Sequence, residues 1–99
     1  MNYINYSIFK GEQAVIKVYT SLVLTGATVT KLCIKKPDGT TIVEKVATID
    51  PGDPKYLIAT LLAADLNQSG DYLLQAYIEK GTLKRYGATC QFTVHERWE

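Results

Sequence analysis

The segment DLNQSGDYLLQA places Asp65, Asn67, Ser69, Gly70 and Asp71 at positions 1, 3, 5, 6 and 7 of a helix-loop-helix calcium site. Oxygen donors spaced around a glycine suit a hard cation, because short polar side chains can turn toward one centre while the glycine makes the sharp bend. The pattern then fails. Position 9 is Leu73, and position 12, where a bidentate acid belongs, is Ala76. Neither flank carries a long amphipathic helix. The segment therefore reads as a strand corner in which Asp65 caps a short turn and Gly70 supplies a positive φ.

Other chemistries find fewer residues still. The sole histidine, His95, sits beside Glu96 on an expected C-terminal tail, residues 95–99, where a dyad or triad would lack a scaffold. One histidine and two separated cysteines have no zinc spacing. Strand alternation puts Cys33 on the Lys31/Lys35 face and Cys90 on the Ala88/Phe92 face, so a disulfide is not expected, and two reduced thiols fit an intracellular site of synthesis. LTGATVT lacks the Lys-Ser/Thr of a phosphate-binding loop. These residues predict a noncatalytic protein with no cofactor and no metal.

Composition narrows the partners. The 99 residues suffice for one core, and a single domain over 1–99 is expected, with its core at about 4–94. A formal net charge of +1 gives no electrostatic basis for binding nucleic acid or an anionic membrane. MNYINYSIFKGEQ has no cationic segment leading into an apolar one, and no run reaches the ~18 apolar residues of a membrane span. A soluble chain made without a cleaved signal is expected.

The elements that must position any site have a period of two. INYSIF and QAVIKVYTSLVL read as strands, the latter with Ala14, Ile16 and Val18 on one face. ATVTKLCIKK alternates likewise and stops at Pro37-Asp38-Gly39, whose fixed φ, backbone-bonding carboxylate and tolerance of φ > 0 suit a tight turn. TIVEKVATI returns as the hairpin partner, and DPGDPK closes it. Tyr56–Leu62 is the next strand, and AADLNQ is one short helical turn. Tyr72, Leu74, Ala76 and Ile78 then share a face. LKRYGATCQFTV is last, with Ala88, Cys90, Phe92 and Val94 inward.

About seven antiparallel strands with turns at roughly ten-residue intervals predict an all-β, immunoglobulin-like β-sandwich with one short helical turn. Gly70 and Tyr72 fall where such folds place a tyrosine corner, the ring in the core and the hydroxyl reaching upstream backbone.

GATVTKLCIKKPDGTTIVEKVATI, followed by YLIATLLAADLNQSGDYLLQAYIEKGTLKRYGATCQFTV, resembles the small immunoglobulin-like domains of tailed-phage virion proteins, such as the N-terminal domain of baseplate upper proteins. The shared pattern is a PDG-type hairpin, a short acidic-leucine turn, G-x-Y opening a strand and a closing F-x-V, over roughly residues 8–94. The resemblance implies a noncatalytic virion module of tail, baseplate or capsid decoration, synthesised in the bacterial cytoplasm. Its partners would be other virion proteins or a second copy, as a homo-oligomer. A carbohydrate or cell-surface binding module is the alternative.

Either role would use surface residues. Leu73 and Tyr77 on the outward face of the penultimate strand, with Tyr86 near the start of the last, form a candidate apolar patch or an ordinary solvated face. Trp98, past the last strand, reads as either a disordered end or an anchor for a partner. Lys31, Cys33, Lys35 and Lys36 read as a short basic ribbon, either a solvated sheet face or an edge that its lysines protect from aggregation.

Overall fold

Alternation of apolar and polar residues sorts the strands into two layers. The structure is a computed structural model that describes residues 8–87 and 89–98, together with the backbone of residues 2–3. Its strands are β1 Asn2–Tyr3, β2 Ile8–Phe9, β3 Ala14–Tyr19, β4 Val29–Lys35, β5 Ile42–Val46, β6 Thr48–Ile49, β7 Tyr56–Leu61, β8 Gly70–Lys80, β9 Leu83–Tyr86 and β10 Cys90–His95. The larger sheet runs β1-β10-β8-β4-β5, with β2 also on β10 and β9 also on β8. The smaller runs β3-β7-β6. The fold is an all-β, immunoglobulin-like sandwich.

The ten segments arise from about seven expected strands by interruption. TIVEKVATI divides at Ala47: β5 pairs with β4, whereas β6 pairs with β7, so the chain changes sheets there. LKRYGATCQFTV divides between Tyr86 and Cys90. The expected first strand, INYSIF, lies partly outside the described residues, as does the expected inward position of Ala88. One departure concerns direction, since β1 and β2 run parallel to β10 in an otherwise antiparallel sheet. The expected tail also begins later, because His95 ends β10 opposite Phe9.

Inward residues of the two layers meet in one core. Ile16, Val18, Leu57, Ala59 and Leu61 face Leu32, Ile34, Tyr72, Leu74, Ala76, Ile78, Phe92 and Val94, all buried. Burying each large apolar side chain contributes about 1.5–3 kcal/mol. Tyr72 and Phe92 stack across β8 and β10, centroids 5.1 Å apart.

The Leu62–Gln68 segment closes one end of this core. Leu66 donates its N–H to the Leu62 carbonyl at 3.2 Å, closing a single helical turn over the buried Leu66 side chain. Asp65 reaches back to accept the Leu62 N–H at 2.8 Å, the acidic half of a capping box. Its Oδ2 also lies 2.9 Å from the Lys45 ammonium. Asn67 accepts from Lys36 Nζ at 2.8 Å, and Ser69 donates to Glu96. The first three side chains of the calcium pattern therefore turn to separate protein partners, two of them cationic.

Lys36 corrects the basic-ribbon expectation. It shares the parity of Leu32 and Ile34 and is buried, its ammonium donating to the Ala64 carbonyl at 3.1 Å and to Asn67. The stem packs under the turn while the charge is satisfied by oxygens, the condition for a tolerable buried cation.

Candidate functional site

The outward face of the larger sheet is set by the residues opposite in parity to the core. Across it run rows of paired side chains: Val46, Lys31, Tyr77 and Tyr86 in one, and Ile42, Lys35, Leu73 and Gln91 in another. Leu73, Tyr77 and Tyr86, expected as a surface patch, thus lie on one face.

Tyr86 reaches that face through a backbone irregularity. Tyr86 stands opposite Tyr77, while Cys90 stands opposite Leu74, so the last strand spends one residue more than β8 over the same distance. This is a β-bulge. Strict alternation back from the buried Cys90 would point Tyr86 at the core, and the extra residue reverses its direction. Gly87 donates its N–H to the Ala76 carbonyl at 2.8 Å, and the Gln75 side-chain amide donates to the Gly87 carbonyl at 3.3 Å.

The two rings pack together, with centroids 4.8 Å apart and planes at 51°. Tyr86 remains 62% exposed, whereas Tyr77 is half-buried beneath it. Lys31 Nζ lies 5.0 Å from the Tyr77 centroid, and the Tyr77 hydroxyl donates to Glu79 at 2.8 Å. That bond to a carboxylate is the main cause raising the Tyr77 phenol above its ordinary pKa. Tyr77 thus lies between a cation and an anion.

Beside the tyrosines a shallow groove of about 180 Å³ is lined by Cys33, Lys35, Ile42, Leu73, Gln75 and Thr89. Cys33 Sγ lies 3.8 Å from Glu44 Oε2, and partial burial pushes its thiol pKa up, opposite to what a reactive thiolate needs. No disulfide joins Cys33 to Cys90, which faces the core.

Trp98 lies elsewhere. It lines a wider hollow of about 530 Å³ with Phe9, Lys10, Gly11, Glu12 and Arg97, near the β2–β3 turn. Its ring is 92% exposed, with the Arg97 guanidinium carbon 5.6 Å from the centroid. The three residues expected as a patch thus share a sheet face, and Trp98, expected as a separate anchor, lies at the C-terminal end. The sequence reading missed Ile42 and Val46, both exposed on β5; their spacing with Glu44 was the available signal.

Gly70 and Tyr72 hold the corner at the start of β8. Gly70 has φ 125°, and the Tyr72 hydroxyl bonds back to the Gln68 backbone. His95 packs its ring against Phe9, centroids 6.0 Å apart. Among the described residues no group of three or more His, Cys, Asp or Glu side chains is placed to hold a metal ion. Nor is any helix of the described residues long and apolar enough to cross a membrane.

No family model matches this sequence, and no curated protein matches it. Among solved structures it is similar to CopC from Methylosinus trichosporium OB3b. The TM-score is 0.59 at 20% identity, over 99% of this chain and 86% of that one. The likeness supports the sandwich fold. It also corrects the functional expectation, since the similar structure is that of CopC and not of a phage protein. The virion-assembly role and its carbohydrate-binding alternative are accordingly withdrawn.

Proposed function

We propose that this chain is a noncatalytic binding module that takes a protein partner on the outer face of its larger sheet. The observation that carries the reading is the Tyr77–Tyr86 pair, turned outward by a bulge and left with one ring largely in solvent. Tyrosine presents a large, stiff area for contact at little entropic cost. Leu73 and Ile42 extend that area along the groove, and Lys31, Glu44 and Glu79 give it mixed charge. A neutral aromatic centre with charges of both signs around it matches a protein surface better than a polyanion.

A metal function, copper included, finds no group of three or more His, Cys, Asp or Glu side chains placed to hold an ion among the described residues. Copper(II) favours several nitrogen and oxygen ligands converging on one centre. His95, the one imidazole in the chain, instead sets its ring tilted beside Phe9.

The test pairs two measurements. A photocrosslinking residue at Gln91 of the wild-type chain should trap a protein partner in cells of the source organism, and Tyr86→Ala or Leu73→Ala should abolish the adduct without altering the melting temperature. Retention of the adduct in both variants would sink the reading. So would calorimetric binding of Cu²⁺ tighter than about 1 μM, which would move a metal function to the front.

A further inference from the structure

Among the described residues, β5 in the larger sheet and β3 in the smaller are edge strands longer than four residues, each open along its outer side. In an antiparallel ladder, residues alternate between bonding their neighbour strand and pointing their N–H and C=O away from it. On β5 the phase is set by Lys36 N–H to Thr41 carbonyl, 2.9 Å, and Ala47 N–H to Thr30 carbonyl, 3.1 Å. Val43 and Lys45 therefore bond β4, and Ile42, Glu44 and Val46 turn their backbone groups to the open edge. On β3, Thr20 N–H to Lys55 carbonyl, 2.8 Å, sets the same phase against β7. Val15, Lys17 and Tyr19 then carry the open groups.

These six residues also point their side chains outward. Ile42 and Val46 are 64% and 87% exposed, and Val15 and Tyr19 are 58% and 54%. One edge thus reads apolar, acid, apolar, and the other apolar, base, apolar. Laid antiparallel, Ile42 falls opposite Tyr19, Glu44 opposite Lys17 and Val46 opposite Val15. Each pair is of the kind that exchanges both backbone hydrogen bonds. Parity, hydrogen-bond phase and charge all agree in that single register.

We propose that the β5 edge of one copy adds to the β3 edge of a second copy. Symmetric pairing is disfavoured by the same residues, because β5 on β5 centred on this motif sets Glu44 against Glu44 and β3 on β3 sets Lys17 against Lys17. Glu44 now pairs with Lys31 at 2.8 Å and Lys17 with Asp50 at 2.8 Å. A carboxylate has two oxygens and an ammonium three donors, so each can keep its present partner and accept the new one. The interface is heterologous: an open assembly always retains one free β5 edge and one free β3 edge, so it continues past a dimer into a chain or closes as a ring. This inference shares Ile42 and Glu44 with the proposed face but rests on the open backbone edges, and Lys17→Glu, on the other sheet, tests it apart from that face.

Analytical ultracentrifugation of the full chain decides it. Wild type should self-associate with rising concentration up to about 1 mM, into species larger than a dimer. Glu44→Lys and Lys17→Glu should each weaken association about tenfold or more by setting like charges opposite. Mixing those two variants should restore it, because the two reversed charges then face each other as an opposite pair and the alternate contact along the assembly is wild type. Circular dichroism of each variant confirms that it is folded. A monomer throughout, an assembly that ends at the dimer, indifference to either substitution, or no restoration on mixing would each overturn the proposal.

Discussion

The Tyr72 hydroxyl is tied twice to Gln68, accepting its N–H at 3.2 Å and donating to its carbonyl at 3.1 Å. One side chain thereby satisfies both backbone groups of a residue that no ladder reaches, and holds the loop that ends the helical turn against β8.

Tyr72→Phe keeps the ring and its stacking on Phe92 but leaves both Gln68 groups without this partner. The expected cost is about 1–3 kcal/mol. Urea unfolding should show a lower midpoint at an unchanged slope, and binding at the outward tyrosines should persist in the folded protein. A loss below about 0.5 kcal/mol would mean that water replaces the hydroxyl at no cost.

Gly70 precedes that corner with φ 125°, in a region L-residues rarely adopt. A Cβ there would meet Pro37 Cβ at 3.0 Å and Cγ at 3.2 Å, in a ring that cannot turn aside. Gly70→Ala should destabilise by about 1–3 kcal/mol from backbone strain, with the contact adding to it. Thermal unfolding checks this, and Gly39→Ala supplies the control: its φ is 77° but nothing lies within 4 Å of the added carbon. Equal losses at the two sites would rule out the Pro37 contact.

Asp38 predicts a feature of the acid limb. The Thr41 hydroxyl is the largest cause holding its carboxyl well below the usual carboxylate range, followed by the backbone N–H groups of Thr41 and Thr40 and then the Gln68 amide. A carboxyl with a depressed folded pKa stabilises fully above its unfolded value of about 3.9, and that stabilisation is lost as the pH falls toward the folded value. Asp38→Asn should therefore be less stable than wild type at neutral pH. The gap should narrow steadily from about pH 5 downward and stay partly open at about pH 2, where the folded carboxyl is still largely ionised. Urea midpoints of both proteins across that range measure it, and a gap independent of pH would show that the carboxyl's charge plays no part.

Much of the fold was legible because burial on one face imposes a period of two. Ile16, Val18, Leu32, Ile34, Leu74, Ile78, Phe92 and Val94 all point where alternation sends them. Lys36 obeys the same parity, but its charge argued for solvent; what reverses that is the Ala64 carbonyl and the Asn67 amide, brought over it from about thirty residues away. The candidate face was legible in part. Leu73 and Tyr77 follow from strand parity, whereas Trp98 joins a different hollow because the chain leaves β10 beside the β2–β3 turn. Ile42 and Val46 alternate with Val43 and Lys45, which marks a shared face but not its exposure, since nothing local tells an edge strand from an inner one.

The amino-acid sequence by itself determined the all-β class, the PDG hairpin, the corner at Gly70 and Tyr72, and the inward set of residues. Those follow from local geometry: side-chain period, turn conformations and the range of φ each residue tolerates. Only the tertiary structure decided that the chain crosses between sheets at Ala47, that an extra residue before Cys90 turns Tyr86 outward, and that β3 and β5 are open edges. Each depends on which strands lie side by side. Pairing is set by the free energy of closing the whole core, and no short window of residues contains it.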